Sequence, residues 1–403
     1  MHDAFLRLIA SSLKDERFTL VDVGCSGGVD AVWRVFGERF RALAFDASVS
    51  ECRRLQANEP SANVHYVPGF VGIPLDHPFA RQAVGKPSFV NDFYGRTSAA
   101  WTMEMRAKRL AEASNEEKMR HNLWQVTELA EADKPIFLKD ALPAHGFEAV
   151  DFLKIDVDGH DLLVLKSLDG MLDKLGVLAA RLEVCMFGGA DDTNHTFHNT
   201  DRFMLQQGYA LMRLDNRSYS NRALPARYAI NMPAQTVSGR IFQADAYYAR
   251  DLAAESQKDI AAQTSVEGIA KLAAILSVWQ QPDGAAELLI KFKDRLASLF
   301  DVDRGLDLLA AQTQSADGDK DEVEFLSYRD YVKSFTADGP EFYPRRDPPP
   351  PPEPTFWQRV AAARAAWDDW GYTERLFATR RRWEKLEEMR KARDQAQPVP
   401  KPT

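Results

Sequence analysis

The sequence predicts an α/β fold, a doubly wound sheet followed by a helical C-terminal extension, and two segments carry that prediction. Phe18 to Val23 is an apolar strand that runs into Gly24-Cys25-Ser26-Gly27-Gly28, with a helix expected from about Val29. Strand, glycine-rich turn and helix in that order open a nucleotide-binding α/β domain. The second segment, residues 151–161, reads Asp-Phe-Leu-Lys-Ile-Asp-Val-Asp-Gly-His-Asp. Phe152, Leu153, Ile155 and Val157 make a strand, Gly159 breaks it, and Leu162, Leu163, Leu165 and Leu168 resume with helical spacing. Ligands of open α/β sheets bind at the carboxyl ends of the strands. A lysine and two aspartates in so buried a strand are costly unless they pair or work.

The other elements follow in order. Strands are expected near 18–24, 41–47, 63–69, 151–157, 178–186, 209–215 and 240–248. About 80 residues separate the third strand from the fourth, far more than a crossover needs. This insert holds Asn91 to Ser98 and a charged helical stretch from Ala99 to about Arg120, and long inserts commonly act as lids or binding loops. Residues 1–250 thus make one domain and 251–335 a helical extension. In the extension Ile269, Leu272, Ala273, Leu276 and Trp279 share a face, Gln281-Pro282-Asp283-Gly284 interrupts, and Ala286, Leu289, Ile290, Phe292 and Leu296 resume. That spacing suits a helical cap or a tetratricopeptide-like hairpin. Residues 336–355 form a stiff proline-rich linker. The tail, 356–403, is helix-prone, with Trp357, Trp367, Trp370, Trp383 and the cluster Arg380-Arg381-Arg382, before a disordered end. It reads as a solvated charged helix or as a docking segment for a second subunit or a protein partner.

Composition excludes several classes. A net charge of -8 and a pI near 5.6 argue against a nucleic-acid binder. Cys25, Cys52 and Cys185 are too few and too scattered for a disulfide scaffold. No apolar run is long enough to span a membrane. The first residues, lacking a basic lead or cleavage site, read as a short packing helix, so a cytoplasmic enzyme is expected.

The glycine turn is not Gly-x-Gly-x-x-Gly and lacks the Gly-Lys-Ser/Thr ending of a phosphate loop. Asp46 closes the next strand 22 residues after Gly24, where an acid accepts hydrogen bonds from the ribose hydroxyls of a nucleoside. Asp22, inside the first strand, suits a cationic ligand better than a pyrophosphate. S-adenosylmethionine, a nucleoside with a sulfonium and an ammonium and no phosphate, fits both features.

Asp22-Val23-Gly24-x-x-Gly27-Gly28, Asp46 and Leu153 to Asp161 together resemble FkbM-type S-adenosylmethionine-dependent methyltransferases. That family usually shows Leu-Lys-Ile-Asp-Val-Glu-Gly-x-Glu; here Asp158 and Asp161 stand in place of both glutamates. The resemblance covers roughly residues 15–250. It implies a Rossmann-like class I methyltransferase sheet whose last two strands form an antiparallel pair at the edge, and Gly208-Tyr209-Ala210-Leu211 and Arg240 to Tyr248 suit that. It implies donor contacts from Asp22, Gly24, Cys25, Gly27, Asp46 and Ala47.

Methyl transfer from a sulfonium needs alignment and an ionised acceptor. Asp156, at the end of the fourth strand, is the first choice for general base or metal ligand. Lys154 lies on the same strand face, as a buried partner of Asp22 or Asp156 or as a catalytic group. Asp158 and Asp161 have the spacing of a capping box, with metal or substrate contact the alternative. His160, at a helix N-terminus that disfavours imidazolium, is a candidate neutral base or a structural histidine. Glu183, on the adjacent strand, is the natural second carboxylate. Asp156, Asp158 and Glu183 are oxygen ligands suited to Mg²⁺ rather than zinc. Tyr94, Arg96, His195 and Arg217, in polar loops, are candidates for gripping a hydroxyl-rich acceptor, although local acids equally account for Arg96 and Arg217. The expected reaction is O-methylation of a sugar hydroxyl in a glycan or glycolipid precursor. The alternatives are a polyketide, amine or carboxylate acceptor, or a non-catalytic glycan-pathway scaffold that recruits a partner through its tail.

Overall fold

Among the described residues seven strands build a single sheet in the order β3-β2-β1-β4-β5-β7-β6. They are Phe18–Val23 (β1), Phe40–Asp46 (β2), Val64–Pro68 (β3), Phe152–Ile155 (β4), Ala179–Cys185 (β5), Ala210–Tyr219 (β6) and Arg240–Ala249 (β7). β1 to β5 pair in parallel, and β7 runs antiparallel to β5. This mixed α/β sheet is consistent with a Rossmann-like methyltransferase fold. The computed structural model describes residues 2–83, 95–112, 114, 129–131, 133–229, 235–317, 325–335 and 391. The expected linker and tail lie outside these residues apart from Lys391. The chain divides into two units. The first comprises Met1–Asn91, Val126–Arg217 and Ile241–Phe342, and the second Asp92–Gln125, Ser218–Arg240 and Tyr343–Thr403.

Two expectations need correction. The helix expected from Val29 is a 3-10 segment, Ala31–Arg39, started by Asp30, whose carboxylate accepts from the Val32 amide, and kinked at Gly37 with φ of 56°. Arg217, expected in a polar loop after a strand ending near 215, lies within β6, which runs on to Tyr219. β6 is the last strand of the sheet, and an edge strand tolerates polar side chains that an interior strand does not. Ala99–Glu112 is helical as expected.

In the first unit each sheet face carries its own core. Phe18, Leu20, Ala42, Ala44, Phe152 and Ala179 pack with the helix His2–Ser12, the 3-10 segment and the helix Val266–Val278. Val21, Val23, Leu43, Phe45, Leu153, Ile155, Leu182 and Val184 pack with the helices Leu138–Ala144, Asp161–Lys166 and Phe197–Gln206. The helix Val266–Val278, opened by Ser265 capping the Gly268 amide, is buried from Gly268 to Ser277. Apolar residues on all sides mark a helix that is covered on all sides. Its companion starts with Pro282, so the interruption falls at Trp279 to Gln281, and Gly284 is helical. Lys271 crosses from that helix to Asp151, at 3.1 Å, and to Glu16, at 2.9 Å. Asp151 also accepts from the Thr19 amide (2.7 Å) and hydroxyl (2.8 Å), which ties the starts of β1 and β4 together. Among the described residues no helix is long and apolar enough to cross a membrane.

Candidate functional site

The two segments singled out in the sequence are hydrogen-bonded neighbours. β1 and β4 pair with Asp22 opposite Lys154, and the Asp156 amide donates to the Val23 carbonyl at 2.8 Å. Immediately beyond, Gly24 turns at φ +88°, and a Cβ there would sit 1.7 Å from the Asp156 carbonyl oxygen. Only glycine serves at this position, since both the angle and the contact exclude a side chain. Gly27 also has positive φ (+85°), but a Cβ there would meet nothing within 4 Å, so the turn opens at this point.

The turn's amides are engaged. Gly24 and Cys25 both donate to the Phe45 carbonyl (2.8 and 3.0 Å), and Gly28 donates to that of Cys25 (2.8 Å). Gly27 donates to Glu51 at 3.2 Å and Val29 to the Tyr66 hydroxyl at 3.3 Å. The Cys25 side chain lies in the core, so Cys25 joins the turn through its backbone. Asp46 ends β2 and accepts from the Ser48 amide at 2.8 Å. Burial raises its carboxyl, opposed by hydrogen bonds from the Ser48 and Ser26 amides. The Ala47 carbonyl accepts from the Ala130 amide at 2.9 Å.

Behind the turn, Lys154 donates to Asp22 (2.9 Å) and to the Gly24 carbonyl (3.0 Å), and stands 3.8 Å from Asp156. The lysine thus joins both predicted acids and the turn. Burial pushes Asp22 up to about 6 in spite of Lys154. Burial favours the neutral form of Lys154, but Asp22 and Asp156 outweigh it and raise its pKa. Asp156 keeps about a third of its side chain exposed (32%), the geometry of a carboxylate that still meets solutes.

The polar row continues across the sheet face. Lys154 is in register with Arg181, and Glu183 with Asp245. Arg217 donates to Glu183 (2.7 Å) and Asp245 (2.9 Å), and Arg181 donates to Asp245 (3.0 Å). Glu183 is buried, and that burial, reinforced by Asp156 and Asp161, pushes its carboxyl up to about 8 against Arg217. Its Oε2 and the Nε of Arg181 are buried with no hydrogen-bond partner. A cavity of about 220 Å³ adjoins the row, with Asp22, Lys154, Arg181, Arg213, Tyr247 and Trp279 among its lining residues. Arg217, predicted to grip an acceptor, is thus held by two acids of the sheet. Arg181 and Asp245 escaped the sequence reading, although Asp245 carried the signal of Asp22, a lone acid in a buried strand.

The acidic turn after β4 differs from the expected capping box. The residue before the helix Asp161–Lys166 is His160, which makes no side-chain cap. Asp158 sits in the left-handed region at φ 52°. Asp161 is instead the first helical residue, and its carboxylate accepts from the Val157 (3.0 Å) and Gly159 (3.1 Å) amides. Burial lifts it to about 7 against these bonds. The histidine packed into this helix start is His195, whereas His160 is exposed. His195 Nδ1 accepts from the Leu162 amide at 3.3 Å, which places the ring proton on Nε2. Nε2 lies 3.5 Å from Asp161 without forming a hydrogen bond. Burial, and then His160, lower the His195 pKa to about 4. His195 is therefore a packed residue of the turn. Among the described residues no three of His, Cys, Asp and Glu gather as a metal ion requires. The reading of Asp156, Asp158 and Glu183 as a Mg²⁺ site lacks support, because Arg217 takes up one oxygen of Glu183.

In the second unit, the strand-like segment at Thr97 pairs with Asn221. The Ser98 amide donates to the Ser220 carbonyl (2.7 Å) and the Arg222 amide to that of Arg96 (3.0 Å). A cavity of about 400 Å³ lies on this pairing, lined in part by Arg96 and Arg240. Tyr94, the other acceptor-binding candidate nearby, lies outside the described residues.

Residues 81–211 match the Methyltransferase FkbM domain family. The match marks a methyltransferase domain, takes in β4, β5 and the Leu153 to Asp161 segment, and is narrower at both ends than the resemblance read from the motifs. No curated protein matches the chain.

Proposed function

We propose that this chain transfers the methyl group of S-adenosylmethionine to a hydroxyl, with a sugar of a glycan or glycolipid precursor as the acceptor class. The observation that carries the donor assignment is the chemistry of the glycine turn. Its Gly24, Cys25, Gly27 and Gly28 amides are spent on Phe45, Glu51 and Cys25, so it lacks the ring of free amides that cradles a phosphate. Asp22, Asp46 and Glu51 surround it, which disfavours an anion and suits a cationic nucleoside. Asp46 would hold the ribose, and the opening at Gly27 would admit the ligand. The donor, when bound, supplies an already activated methyl.

The protein's own residues then have two tasks. Lys154 fixes the β1 turn to β4 through Asp22 and the Gly24 carbonyl, so the donor floor and Asp156 move as one body. Asp156, partly exposed beside that lysine, takes the acceptor's proton. The sugar assignment is supported by the family analogy and by the hydroxyl- and arginine-rich cavity of the second unit.

Calorimetry tests the donor site: Asp46→Ala should lose the ribose hydrogen bonds, about 1.5–3 kcal/mol, or roughly 10- to 150-fold in Kd. Undiminished affinity, or tighter binding of NAD than of S-adenosylmethionine, overturns the assignment. Mass spectrometry of surface glycans from cells with and without the chain tests the acceptor class. A methyl group lost from a lipid, polyketide or protein instead would refute it.

A further inference from the structure

We infer that the cavity of about 220 Å³ in the first unit binds one neutral, hydroxylated ring, a pyranose, and that the end of the helix Val266–Val278 forms part of its wall. Ligand pockets commonly run from about 300 to 1,000 Å³, so this one admits a single ring rather than a nucleotide. Four aromatic side chains join along it. Between ring centroids, Trp33 lies 5.3 Å from Phe152, Phe152 5.7 Å from Trp279, and Trp279 5.1 Å from Tyr247. Trp279 ends the helix, and its carbonyl accepts from Arg213 of β6 at 2.8 Å, which fixes the helix end beside the sheet. Aromatic walls of this kind suit the carbon face of a sugar ring. Polar atoms on the same wall are unspent. The Tyr247 hydroxyl and the indole N–H groups of Trp33 and Trp279 bond to nothing among the described residues, although all three residues are buried. Buried tyrosines and tryptophans normally place that polar tip on a partner. Tyr209 does so on the Val177 carbonyl at 2.7 Å, and Tyr248 on Asp201 at 3.2 Å. Three donors therefore border one small space, which calls for a ligand rich in oxygen acceptors.

Pairing decides the ligand's charge. Every cation on the lining carries an acid: Lys154 has Asp22 at 2.9 Å, Arg181 has Asp245 at 3.0 Å, and Arg213 has Asp215 at 2.7 Å. Asp30 lines the cavity as well. An anion would meet compensated cations and carboxylates, and a cation would meet three positive side chains, so a neutral ligand is favoured. Hydroxyl groups both donate and accept, as this mixture of N–H, O–H and carboxylate groups requires. A planar base or an apolar ring would leave those groups buried without partners. Lys154 also stands 3.8 Å from Asp156, which brings the ring to the proposed base. Naming that ring the methyl acceptor rests on the function proposed above; the binding itself does not.

Saturation-transfer NMR on the full chain, with the methyl glycosides of glucose, galactose, mannose, fucose and rhamnose, reads the binding. At least one should bind saturably through its ring C–H protons, with an affinity indifferent to salt. Tyr247→Phe should weaken that glycoside about three- to tenfold. Its melting temperature should stay put, because the hydroxyl holds nothing in the protein. Trp279→Phe keeps a ring against Phe152 and Tyr247 but loses the N–H and part of the stacking surface, and should weaken binding by a similar factor. Saturating S-adenosylmethionine should leave the glycoside bound. No saturable binding of any of the five at tens of millimolar overturns the inference, as does parent-like affinity in both variants. Tighter binding of glucuronate overturns the neutral ligand, and displacement by S-adenosylmethionine hands the cavity to the donor and overturns the inference too. If a glycoside binds and the donor does not, the methyl-transfer reading falls and this one stands.

Discussion

Replacing Lys271 by methionine keeps the length of the side chain and removes its charge. The ammonium is 3% exposed as a residue and bridges Asp151, 8% exposed, and Glu16, whose side chain is 52% exposed. The Glu16 arm, in contact with water, contributes at most about 1 kcal/mol. The Asp151 arm is different, because removing one partner of a buried pair typically costs about 3–5 kcal/mol. Thr19 still donates twice to the stranded carboxylate, and burial already raises its pKa, so it takes up a proton. The expectation is therefore at the lower end, about 3 kcal/mol, or a fall in Tm of roughly 6–12 °C. Urea unfolding followed by tryptophan fluorescence and far-UV circular dichroism should show one transition, shifted, with the deficit shrinking on acidification as Asp151 is neutralised. A loss under about 1 kcal/mol, within the surface-pair range, would refute the reasoning.

Gly24→Ala should fail to yield a folded chain, because the added carbon overlaps backbone; Gly27→Ala should fold at a cost of about 1–2 kcal/mol for its left-handed angle, and matching melting curves would overturn this contrast. Asp156→Asn should abolish turnover while sparing donor affinity, and near-normal turnover by the folded variant moves the active centre elsewhere. Glu183 holds its proton more tightly in the folded chain, about 8 against 4.5, so stability should fall as pH rises through that window. Glu183→Gln should flatten that fall, and parallel curves would show Arg217 neutralising the site. His195, lowered from 6.5 to about 4, resists protonation when folded, so stability should drop as pH falls from 6.5 towards 4. His195→Asn should remove part of that acid limb, and an unchanged limb assigns it to other groups.

What the sequence revealed and what it hid divide along physical lines. β1, β2, β4 and β5 were legible because buried strands announce themselves as apolar runs, and Gly24 because a tight turn leaves little choice of residue. Lys154 with Asp22 was legible as a charge pair because an apolar strand makes an ionised group conspicuous. The 3-10 segment was not, since Val32, Trp33, Val35 and Phe36 suit an α-helix locally and only the left-handed Gly37 disrupts it. The exchange of His160 for His195 was equally hidden. A residue 33 positions beyond Leu162 reaches that amide, and no local spacing encodes such a contact. Arg217 stayed open between an acceptor and local acids because the acids that hold it, Glu183 and Asp245, sit on two other strands. Within the second unit, the cavity is assembled from segments about 120 residues apart, so its lining had no contiguous signature.

The strand order carries a consequence for biosynthesis. β7, the last of the seven described strands in the chain, occupies an interior position between β5 and β6. Until residues 240–249 emerge, β5 presents an unpaired edge along Ala179–Cys185, a stretch whose ladder partner is Gln243–Ala249. Exposed apolar edges recruit other chains. A nascent or prematurely terminated chain ending before Arg240 thus carries a sheet with a vacant slot. A slow codon placed just before that point would lengthen the time for which this edge stays open to pairing with other chains.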